Sequence, residues 1–518
     1  MKRRPIAMLL CLLMVLSLVA CGGAEEAAPK AETPAADAPK AEAAAPAEEA
    51  SGEKILRIGM KDTTNLDPMN DWAIPSYYFY WTVYERLIKL NYETGEYEPE
   101  LATSWEVAED GSTYTFKLRE GVKWHDGKPF TSADVKYTIE RGVELGTGNY
   151  PGVDYVEAPD EHTVVVHMTA ADSVFLDKQW TGDCCVMQDG CDDSIGQWPI
   201  GTGPYKMEEW VAGDHITIVK NEDHWSEEGA PNDKIIFSII PEDATRLVAL
   251  QSGDIDIAPI SATDVKHVES DENLNVLNKT GIWLDQLGFN CAKGPMADVR
   301  VRKAIAHAIN RQAIVDGVLE GYGVVMNTPV AIGKVGYYDG VPPYEYDVEK
   351  ARELMAEAGY ADGFDCELVI YSYPLVAQLI QYDLSQIGIN VTITQMEKTA
   401  QLEYVNAGNA DLFFWGRSGG PADIYVKSFS AASANSSTGK NNFFYQNETV
   451  DELYEQTHLT LDVEARNEVY KELQLIIMNE LPTLPLFAAD VFTGQHKDVT
   501  GFVPDAENCH DFRTATIG

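Results

Sequence analysis

The chain has 518 residues and a formal net charge of −43 at neutral pH, because 82 acidic residues outweigh 39 basic ones. Such an acidic surface repels nucleic acid and anionic lipid, which excludes nucleic acid as a partner. Hydrophobic residues make up 45% of the sequence, which is ample for packed cores, and the length exceeds what one core usually supports. We therefore expect at least two folded lobes.

Residues 1–20 have the pattern of an export signal. Basic residues 2–4 precede an apolar run that is too short to span a bilayer as a mature helix. The run ends in Leu18-Val-Ala-Cys21, which resembles the bacterial lipobox, and this resemblance implies that Cys21 receives a diacylglyceryl group. The alternative is an ordinary secretory signal with an incidental cysteine. Either signal predicts an extracytoplasmic protein, and the lipobox implies a bacterial protein that is lipid-anchored to the cell membrane.

Residues 21–54 are expected to form a disordered tether. This stretch consists largely of Ala, Pro, Glu and Lys and has no aromatic residue, so it cannot bury enough apolar surface to offset the entropy of ordering. As a flexible chain it spans about 30 Å, which is enough to hold a folded body away from a membrane surface. Folded structure is predicted from Ile55 onward.

The first half of the folded body has a mixed pattern of strands and helices. Residues 55–60 alternate as an opening strand, and residues 104–117 have the pattern of a hairpin around Asp110-Gly111. Thr131-Ser-Ala-Asp134 has the form of a capping box that begins a helix. Further strands are predicted over residues 163–168, 215–220, 234–240 and 255–257, and a helix over 242–252 is expected to end at Gly253.

The second half has the alternation that is typical of an α/β lobe. A strand is predicted over residues 367–371, a helix over 374–387 and a second strand over 389–394. This βαβ unit predicts a parallel pair of strands with a right-handed crossover. A helix over 399–407 and a strand over 411–415 extend the pattern. Two lobes without a long linker between them predict a cleft.

The cysteines do not predict a disulfide framework. Besides those in the signal and the lipobox, the chain has Cys184, Cys185, Cys191, Cys291, Cys366 and Cys509. Their spacing does not indicate which cysteines would pair, and a folded body of this size does not need disulfides for stability. Residues 184, 185 and 191 lack CxxC spacing and a nearby histidine, which favours buried or free thiols over a metal site. No metal and no cofactor is predicted.

A long block of the sequence resembles a known family of receptors. Residues 101–141, from Leu101-Ala-Thr-Ser-Trp to Tyr-Thr-Ile-Glu-Arg141, are similar to the signature of family 5 extracellular solute-binding proteins, which serve dipeptide, oligopeptide and nickel ABC importers. Further similar segments follow in the family's order, namely residues 66–68, 84–88, 201–205, 221–225, 250–256 and 298–309, and a tail with Asp451, Arg466 and residues 481–486. The resemblance covers nearly all of the folded body.

This resemblance implies an α/β, two-lobed periplasmic-binding-protein fold of type II, cluster C-like, with an extra subdomain inserted in lobe one. By analogy, lobe one comprises residues 55–275, lobe two comprises residues 276–484, and residues 485–518 form a tail that returns to lobe one. The family also implies a monomeric receptor that captures short peptides by hinge closure and delivers them to an ABC permease with its ATPase. No catalytic activity is expected.

Alternatives to a peptide receptor remain open. The same fold serves receptors for a nickel chelate, an opine or an oligosaccharide, and Arg417 loosely fits the arginine-rich pocket of nickel-binding relatives. A non-transporting sensor lipoprotein is also compatible with the resemblance. An extracellular hydrolase is not favoured, because the sequence has no HExxH motif and no convincing acid pair.

The resemblance also places candidate ligand-binding residues after the strand at 411–415. In peptide-binding relatives this position resembles Trp-x-Gly-Asp, and the aspartate pairs with the ammonium group of the peptide. Here Trp415 is followed by Arg417 and Ser418 instead. Arg417 is suited to clamp a carboxylate, because its planar fork matches two oxygens. Asp423, aligned with an offset, replaces the missing acid in this interpretation.

The other candidates are aromatic or amide side chains. Trp415 is expected to form a pocket wall near Tyr425. Residues 72, 77 and 78 follow the first strand, in a region that lines the cleft in relatives, while residues 283 and 290 lie near the entry to lobe two. The predicted ligand-binding set is therefore Trp415, Arg417, Asp423, Tyr425, Trp72, Tyr77, Tyr78, Trp283 and Asn290, with Cys21 as the lipidation site.

Overall fold

The computed structural model describes residues 52–91, 96–147, 149–150, 152–179, 181–191, 193–226, 229–417, 422–433 and 441–518. Residues 52–518 form one compact unit by their mutual contacts. The predicted signal, the predicted lipidation site Cys21 and residues 22–51 of the predicted tether lie outside the described residues. Within the described part, no helix is both long enough and apolar enough to cross a membrane.

Strands and helices alternate along the described chain. The strands are β1 (Ile55–Met60), β2 (Ile88–Leu90), β3 (Tyr97–Pro99), β4 (Ala102–Val107), β5 (Thr113–Leu118), β6 (Val153–Asp160), β7 (Thr163–Met168), β8 (Tyr205–Val211), β9 (His215–Lys220), β10 (Lys234–Ile239), β11 (Ile257–Ile260), β12 (Leu274–Phe289), β13 (Gly323–Val325), β14 (Phe364–Ile370), β15 (Ile389–Gln395), β16 (Leu412–Arg417), β17 (Thr483–His496), β18 (Val499–Thr500) and β19 (Thr516–Ile517). The helices are α1 (Ile74–Thr82), α2 (Ser132–Leu145), α3 (Leu176–Gln179), α4 (Asp243–Ser252), α5 (Val265–Glu269), α6 (Val299–Ala308), α7 (Arg311–Val318), α8 (Val348–Glu357), α9 (Pro374–Ser385), α10 (Lys398–Asn406), α11 (Ala422–Lys427), α12 (Glu448–Leu459) and α13 (Val463–Glu480).

One mixed sheet extends through both halves of the folded body. Its strand order is β15-β14-β16-β12-β17-β11-β1-β10-β9-β8, with β13 paired to β17 outside this path. We call the half that contains β1 and β8–β11 lobe one, together with the insert described below, and the half that contains β14–β16 lobe two. The predicted α/β, two-lobed fold is confirmed.

Two long neighbouring strands join the lobes. β12 and β17 pair antiparallel from Leu274 opposite His496 to Gly288 opposite Thr483. β17 also pairs with β11 in lobe one, whereas the last part of β12 pairs with β16 in lobe two. The ladder between β12 and β17 is irregular between Thr280 and residue 284. A bulge therefore interrupts the backbone hydrogen bonds where the chain passes from one lobe to the other.

The predicted βαβ unit of lobe two is confirmed. β14 and β15 are parallel, from Phe364 opposite Ile389 to Ile370 opposite Gln395, and α9 connects them. Gly388 precedes β15 with a φ of 80°, in the left-handed region that glycine tolerates. β16 is also parallel to β14, so all three strands direct their carboxyl ends toward the same edge of the sheet.

A separate antiparallel sheet forms an insert in lobe one. Its strand order is β4-β5-β7-β6, and Trp105 lies opposite Phe116 in the predicted hairpin, which is confirmed. The predicted capping box at the start of α2 is present, because Thr131 and Asp134 each accept a hydrogen bond from the other's backbone. These elements enclose a hydrophobic core that includes the buried Trp124.

One predicted strand begins later than expected. The pattern predicts a strand over residues 255–257, whereas β11 starts at Ile257. The backbone N–H groups of Asp254 and Ile255 both donate to the Ala249 carbonyl, so these residues complete the end of α4 instead of pairing in the sheet. Gly253 caps α4 with a φ of 80°, as predicted. The other predicted elements are confirmed, with small shifts at their ends.

Candidate functional site

The carboxyl edge of the parallel strands in lobe two lies beside the strands that join the lobes. Tyr371 and Lys398 follow β14 and β15, and Arg417 ends β16, so the three residues lie along this edge. β12 reaches the same edge, because Leu284 pairs with Arg417. In open α/β sheets, ligands bind beyond the carboxyl ends of the strands. This edge is therefore the candidate ligand-binding site.

Trp415 and Arg417 supply an aromatic ring and a positive charge at the end of β16. The half-buried Trp415 contacts Phe413 edge to face, with 6.3 Å between the ring centroids. The Arg417 guanidinium donates a hydrogen bond to the Ser428 hydroxyl, and burial lowers its pKa. Among the residues that the structure describes, no carboxylate forms an ion pair with Arg417. Its charge is therefore not neutralised by a described carboxylate.

Three polar atoms converge in front of Gly416. A Cβ atom built on this glycine would lie 2.7 Å from Tyr371 Oη and 2.8 Å from Asp285 Oδ1, and it would overlap Trp283 Nε1. Trp283 Nε1 itself donates a hydrogen bond of 3.3 Å to Asp285 Oδ1. Glycine at position 416 therefore leaves room for a cluster of Trp283, Asp285 and Tyr371, which we call the Asp285 cradle.

Asp285 is an acid that burial keeps from ionising easily. Its side chain is nearly inaccessible to solvent, and its Oδ2 has no hydrogen-bond partner among the residues that the structure describes. Burial raises the pKa of Asp285 to about 8, and the hydrogen bond from Trp283 opposes this shift. Lys398 Nζ lies 5.4 Å from the centre of the Trp283 ring and 5.7 Å from that of Tyr371. A cation therefore already lies near the aromatic walls of the cradle.

Lobe one and the C-terminal tail bring further acids toward lobe two. Tyr77 in α1 donates a hydrogen bond to Asp183, whose pKa is raised to about 6 by burial. Glu507 of the tail forms an ion pair of 3.1 Å with Lys334 of lobe two. Burial raises the pKa values of Tyr77 and Tyr425, and the charge on Glu507 raises both further. Glu507 thus lies within electrostatic reach of one predicted site residue in each lobe.

Three predicted site residues lie away from the Asp285 cradle and from Arg417. Tyr78 is buried among the aromatic rings of the lobe one core. Asn290 is also buried, and its Nδ2 donates 3.1 Å hydrogen bonds to the carbonyls of Gly408 and Ala410. Trp72 precedes α1 and is 57% exposed. In this structure Tyr78 packs in the core and Asn290 binds backbone carbonyls, whereas the Trp72 side chain is accessible to solvent.

Asp423 belongs to a contact between the lobes. His458 Nε2 lies 3.0 Å from Asp423 Oδ1, and both residues are in lobe two. His458 Nδ1 is hydrogen-bonded at 2.9 Å to Asp172 of lobe one. Burial alone lowers the pKa of His458, but the two carboxylates outweigh it and raise this pKa to about 9. The Asp423 carboxylate, with a pKa lowered to about 2 despite its burial, is thus engaged by an imidazolium.

A buried ion pair lies beside this network. Arg466 Nη2 in α13 is 3.1 Å from Asp177 Oδ1 in α3, and both side chains are almost completely buried. The Nη1 of Arg466 donates to the carbonyl oxygens of Ser173 and Thr460. The Ser173 hydroxyl also donates to the carbonyl of Thr457. This cluster of polar contacts therefore attaches the insert side of lobe one to lobe two.

A separate pocket of ≈ 200 Å³ lies within lobe one, and Tyr84, Cys191 and Trp198 contribute to its lining. None of its described lining residues is charged, so it offers no partner for the ends of a peptide. Among the described residues, the six cysteines outside the signal and lipobox form no disulfide bond. Among the described residues, no three side chains of His, Cys, Asp or Glu are grouped so that they could hold a metal ion.

Replacing Gly416 with alanine is expected to destabilise the protein by about 1 kcal/mol, because the added methyl group overpacks the Asp285 cradle but the partly exposed Trp283 side chain can shift to relieve the clash. Thermal or urea unfolding measures the effect. Gly317→Ala is the control, because nothing lies within 4 Å of its added Cβ and helix α7 should gain about 0.5–1 kcal/mol. Equal effects of the two substitutions would contradict the geometry of the cradle.

The family model for bacterial extracellular solute-binding proteins, family 5 Middle, matches residues 96–439, which is more than half of the chain. The chain therefore belongs to this family of solute-binding proteins. The family resemblance predicted from the sequence is confirmed.

Individual relatives cover almost the whole chain. The dipeptide-binding protein of Escherichia coli is 28% identical over 482 residues, covering 84% of this chain and 89% of the relative. Heme-binding protein A of Haemophilus influenzae is 28% identical over 464 residues, covering 81% and 84% respectively. The solved structure of the periplasmic binding protein DppA from Helicobacter pylori, in complex with the peptide STSA, has a TM-score of 0.73, 27% identity and coverage of 90% and 98%. Relatives of this chain thus carry names for different ligands.

The structure adds residues that sequence reasoning missed. Asp285, Tyr371, Lys334 and Glu507 were not predicted, and of these Asp285 had a signal, because it is the one acid in the apolar run 282–289. Residues 416–420 also match the GxSxG pattern of a nucleophile elbow, although Ser418 lies outside the described residues.

Proposed function

We propose that this chain is the substrate-binding component of an ABC importer, anchored to the bacterial cell membrane through Cys21, and that it captures short peptides and delivers them to a permease. The names of the Escherichia coli and Helicobacter pylori relatives support a peptide ligand. The tether of residues 21–54 would leave the folded body free to dock on the permease as a monomer.

Capture is proposed to occur by hinge closure at the bulge in β12. The ladder with β17 is interrupted between Thr280 and Leu284, so rotation there breaks few backbone hydrogen bonds. The Ile282 carbonyl accepts a hydrogen bond from Tyr425, and the Ile282 N–H donates to Ala506 of the tail. Contacts from lobe two and from the tail therefore meet at the hinge, next to the edge that carries Arg417.

The observation that carries the proposal is the Arg417 guanidinium at the carboxyl edge of lobe two. It has no carboxylate ion-pair partner among the described residues, and its fork matches the two oxygens of a peptide's terminal carboxylate. Trp415 provides an apolar wall two residues earlier. These two side chains supply the charge and the contact area that a short peptide requires.

The test is ligand-dependent thermal unfolding of residues 52–518, which form a compact unit of their own. A mixed library of short peptides is expected to raise the melting temperature, because a ligand at about 100 times its Kd stabilises by about 2.7 kcal/mol. Nickel with histidine, an opine, cello-oligosaccharides and heme are the competing ligands. Stabilisation by one of these, with none from any peptide, would refute peptide capture.

Arg417→Ala is expected to weaken the binding of peptides with a free terminal carboxylate by about 10- to 100-fold, because a charge-assisted hydrogen bond is lost. Isothermal titration calorimetry with free and C-terminally amidated peptides measures this effect. Amidated peptides should bind the variant and the parent protein alike. Arg352→Ala removes an exposed arginine of α8 that pairs with Glu349, and it serves as the control. An unchanged affinity in Arg417→Ala would disprove the carboxylate clamp.

A further inference from the structure

The unpaired Oδ2 of Asp285 requires a physical explanation. Buried polar atoms in folded proteins are nearly always hydrogen-bonded, because an unpaired one loses its hydration without compensation. Asp285 is 1% exposed, and of the described residues only Trp283 donates a hydrogen bond to its Oδ1, at 3.3 Å. An apolar residue would avoid this cost. A donor group on a bound ligand would supply the hydrogen bond that Asp285 Oδ2 lacks among the described residues.

The surroundings of Asp285 suit a positively charged group. Trp283 and Tyr371 present aromatic rings, whose faces attract cations, and Lys398 lies 5.4 Å and 5.7 Å from their centres. Trp283 is 39% exposed and Lys398 is exposed, so both can move without unpacking the core. Access to the buried carboxylate therefore requires a change only in side chains at the outer boundary of the cradle.

Arg417 does not neutralise Asp285, although the two residues lie on neighbouring strands. Asp285 pairs with Gly416 in the ladder, and the Cβ direction of Gly416 points at Asp285. Because successive side chains point to opposite faces of a sheet, the Arg417 side chain lies on the face opposite to Asp285. Its contact with Ser428 agrees with this orientation. Among the described residues, the edge of lobe two thus carries a cation without a carboxylate partner and an acid without a cationic partner, on different faces.

We propose that the Asp285 cradle is a subsite for a cationic N–H donor of the ligand, an ammonium or a guanidinium. Asp285 accepts from the cation, while Trp283 and Tyr371 enclose it. This role deepens the proposed function and rests on it. Asp285 thereby offers an acid on a different strand from Asp423, which His458 already engages.

Binding at this subsite is coupled to protonation. The empty cradle holds the Asp285 carboxyl mostly protonated below its raised pKa of about 8, whereas a bound cation requires the carboxylate. Affinity should therefore rise about 10-fold per pH unit below pH 8 and become constant above it. The α-amino group of a peptide titrates in the same range, so probes with a lysine side chain or an alkylammonium group isolate the effect.

The test compares the parent protein with Asp285→Asn, using residues 52–518. The peptide probes are Ala-Ala-Ala, Ala-Lys-Ala and their N-acetylated forms, and the peptide-free probe is n-propylammonium. Asp285→Asn is expected to lose about 10- to 100-fold in affinity for the cationic probes, and to lose the pH dependence of N-acetyl-Ala-Lys-Ala and n-propylammonium binding. Asp362→Asn, an exposed residue before β14 at the opposite edge of the sheet, is the control.

The outcomes separate the subsite from the proposed function. Sensitivity to N-acetylation assigns the cradle to the α-ammonium, and sensitivity to the lysine assigns it to a basic side chain. Peptides that bind both proteins equally at every pH overturn the subsite and leave peptide capture intact. Binding of n-propylammonium that depends on Asp285, without any peptide binding, overturns peptide capture and supports the subsite. Absence of both kinds of binding overturns both.

Discussion

Replacing Arg466 with alanine is expected to lower the free energy of unfolding by about 3–5 kcal/mol, because it leaves a buried charge without its partner. Arg466 and Asp177 are 2% and 1% exposed in their side chains and lie 3.1 Å apart. Burial already raises the pKa of Asp177 even though Arg466 opposes the shift, so the acid depends on this arginine. The carbonyls of Ser173 and Thr460 would lose their donor as well.

Urea unfolding of the folded body measures this loss of stability. Two further variants serve as a control and as a rescue. Lys471→Ala removes an exposed ion pair with Glu468 on the same helix and should leave stability unchanged within error. The double variant Asp177→Asn with Arg466→Met should recover part of the loss, because it removes both buried charges. A loss in Arg466→Ala no larger than that in Lys471→Ala would contradict a structural role for the buried pair.

Local patterns predicted the parts of the fold that local interactions determine. The hairpin at residues 104–117, the capping box at Thr131 and the glycine cap at Gly253 each depend on neighbours a few residues away. The βαβ unit followed from alternating apolar residues and Pro374 in the first helical turn. The family resemblance then supplied the two-lobed arrangement, which periodicity alone does not give.

The strands that join the lobes were not predicted, because their pairing is non-local. β12 and β17 are separated by almost the whole of lobe two, and no turn fixes their register. The candidate site was also only partly predicted, because its residues come together through non-local contacts. From the sequence alone, Asp423 is an acid that follows Trp415 in a loop. Only the fold shows that His458 forms an ion pair with its carboxylate. Asp285 becomes recognisable when Gly416 and Trp283 are placed around it.

Raising the pH through about 9 is expected to weaken the contact between the lobes, because His458 then loses its proton. The pKa of His458 is raised to about 9 by Asp172 and Asp423, against the opposing effect of burial. A raised pKa means that the stabilisation is fully present below the ordinary value near 6.5 and is lost as the pH rises through the folded-state value. The whole difference corresponds to about 3 kcal/mol of stability, lost between pH 6.5 and 9 at about 1.4 kcal/mol per pH unit, so about 1.4 kcal/mol of the loss falls above pH 8.

The pH dependence of unfolding, compared between the parent protein and His458→Gln from pH 8 to 10, isolates this contribution. Asp285 also destabilises the ligand-free fold as the pH rises, but its pKa of about 8 places most of that change below this window. The parent protein should lose stability between pH 8 and 10 relative to the variant, which has no proton to release there. Asp172→Asn should lower the midpoint of the loss, because one of the two carboxylates that raise this pKa is gone. Parallel curves for the parent protein and His458→Gln would show that the imidazole is not held charged, and the link between the lobes would then rest on the Arg466–Asp177 pair.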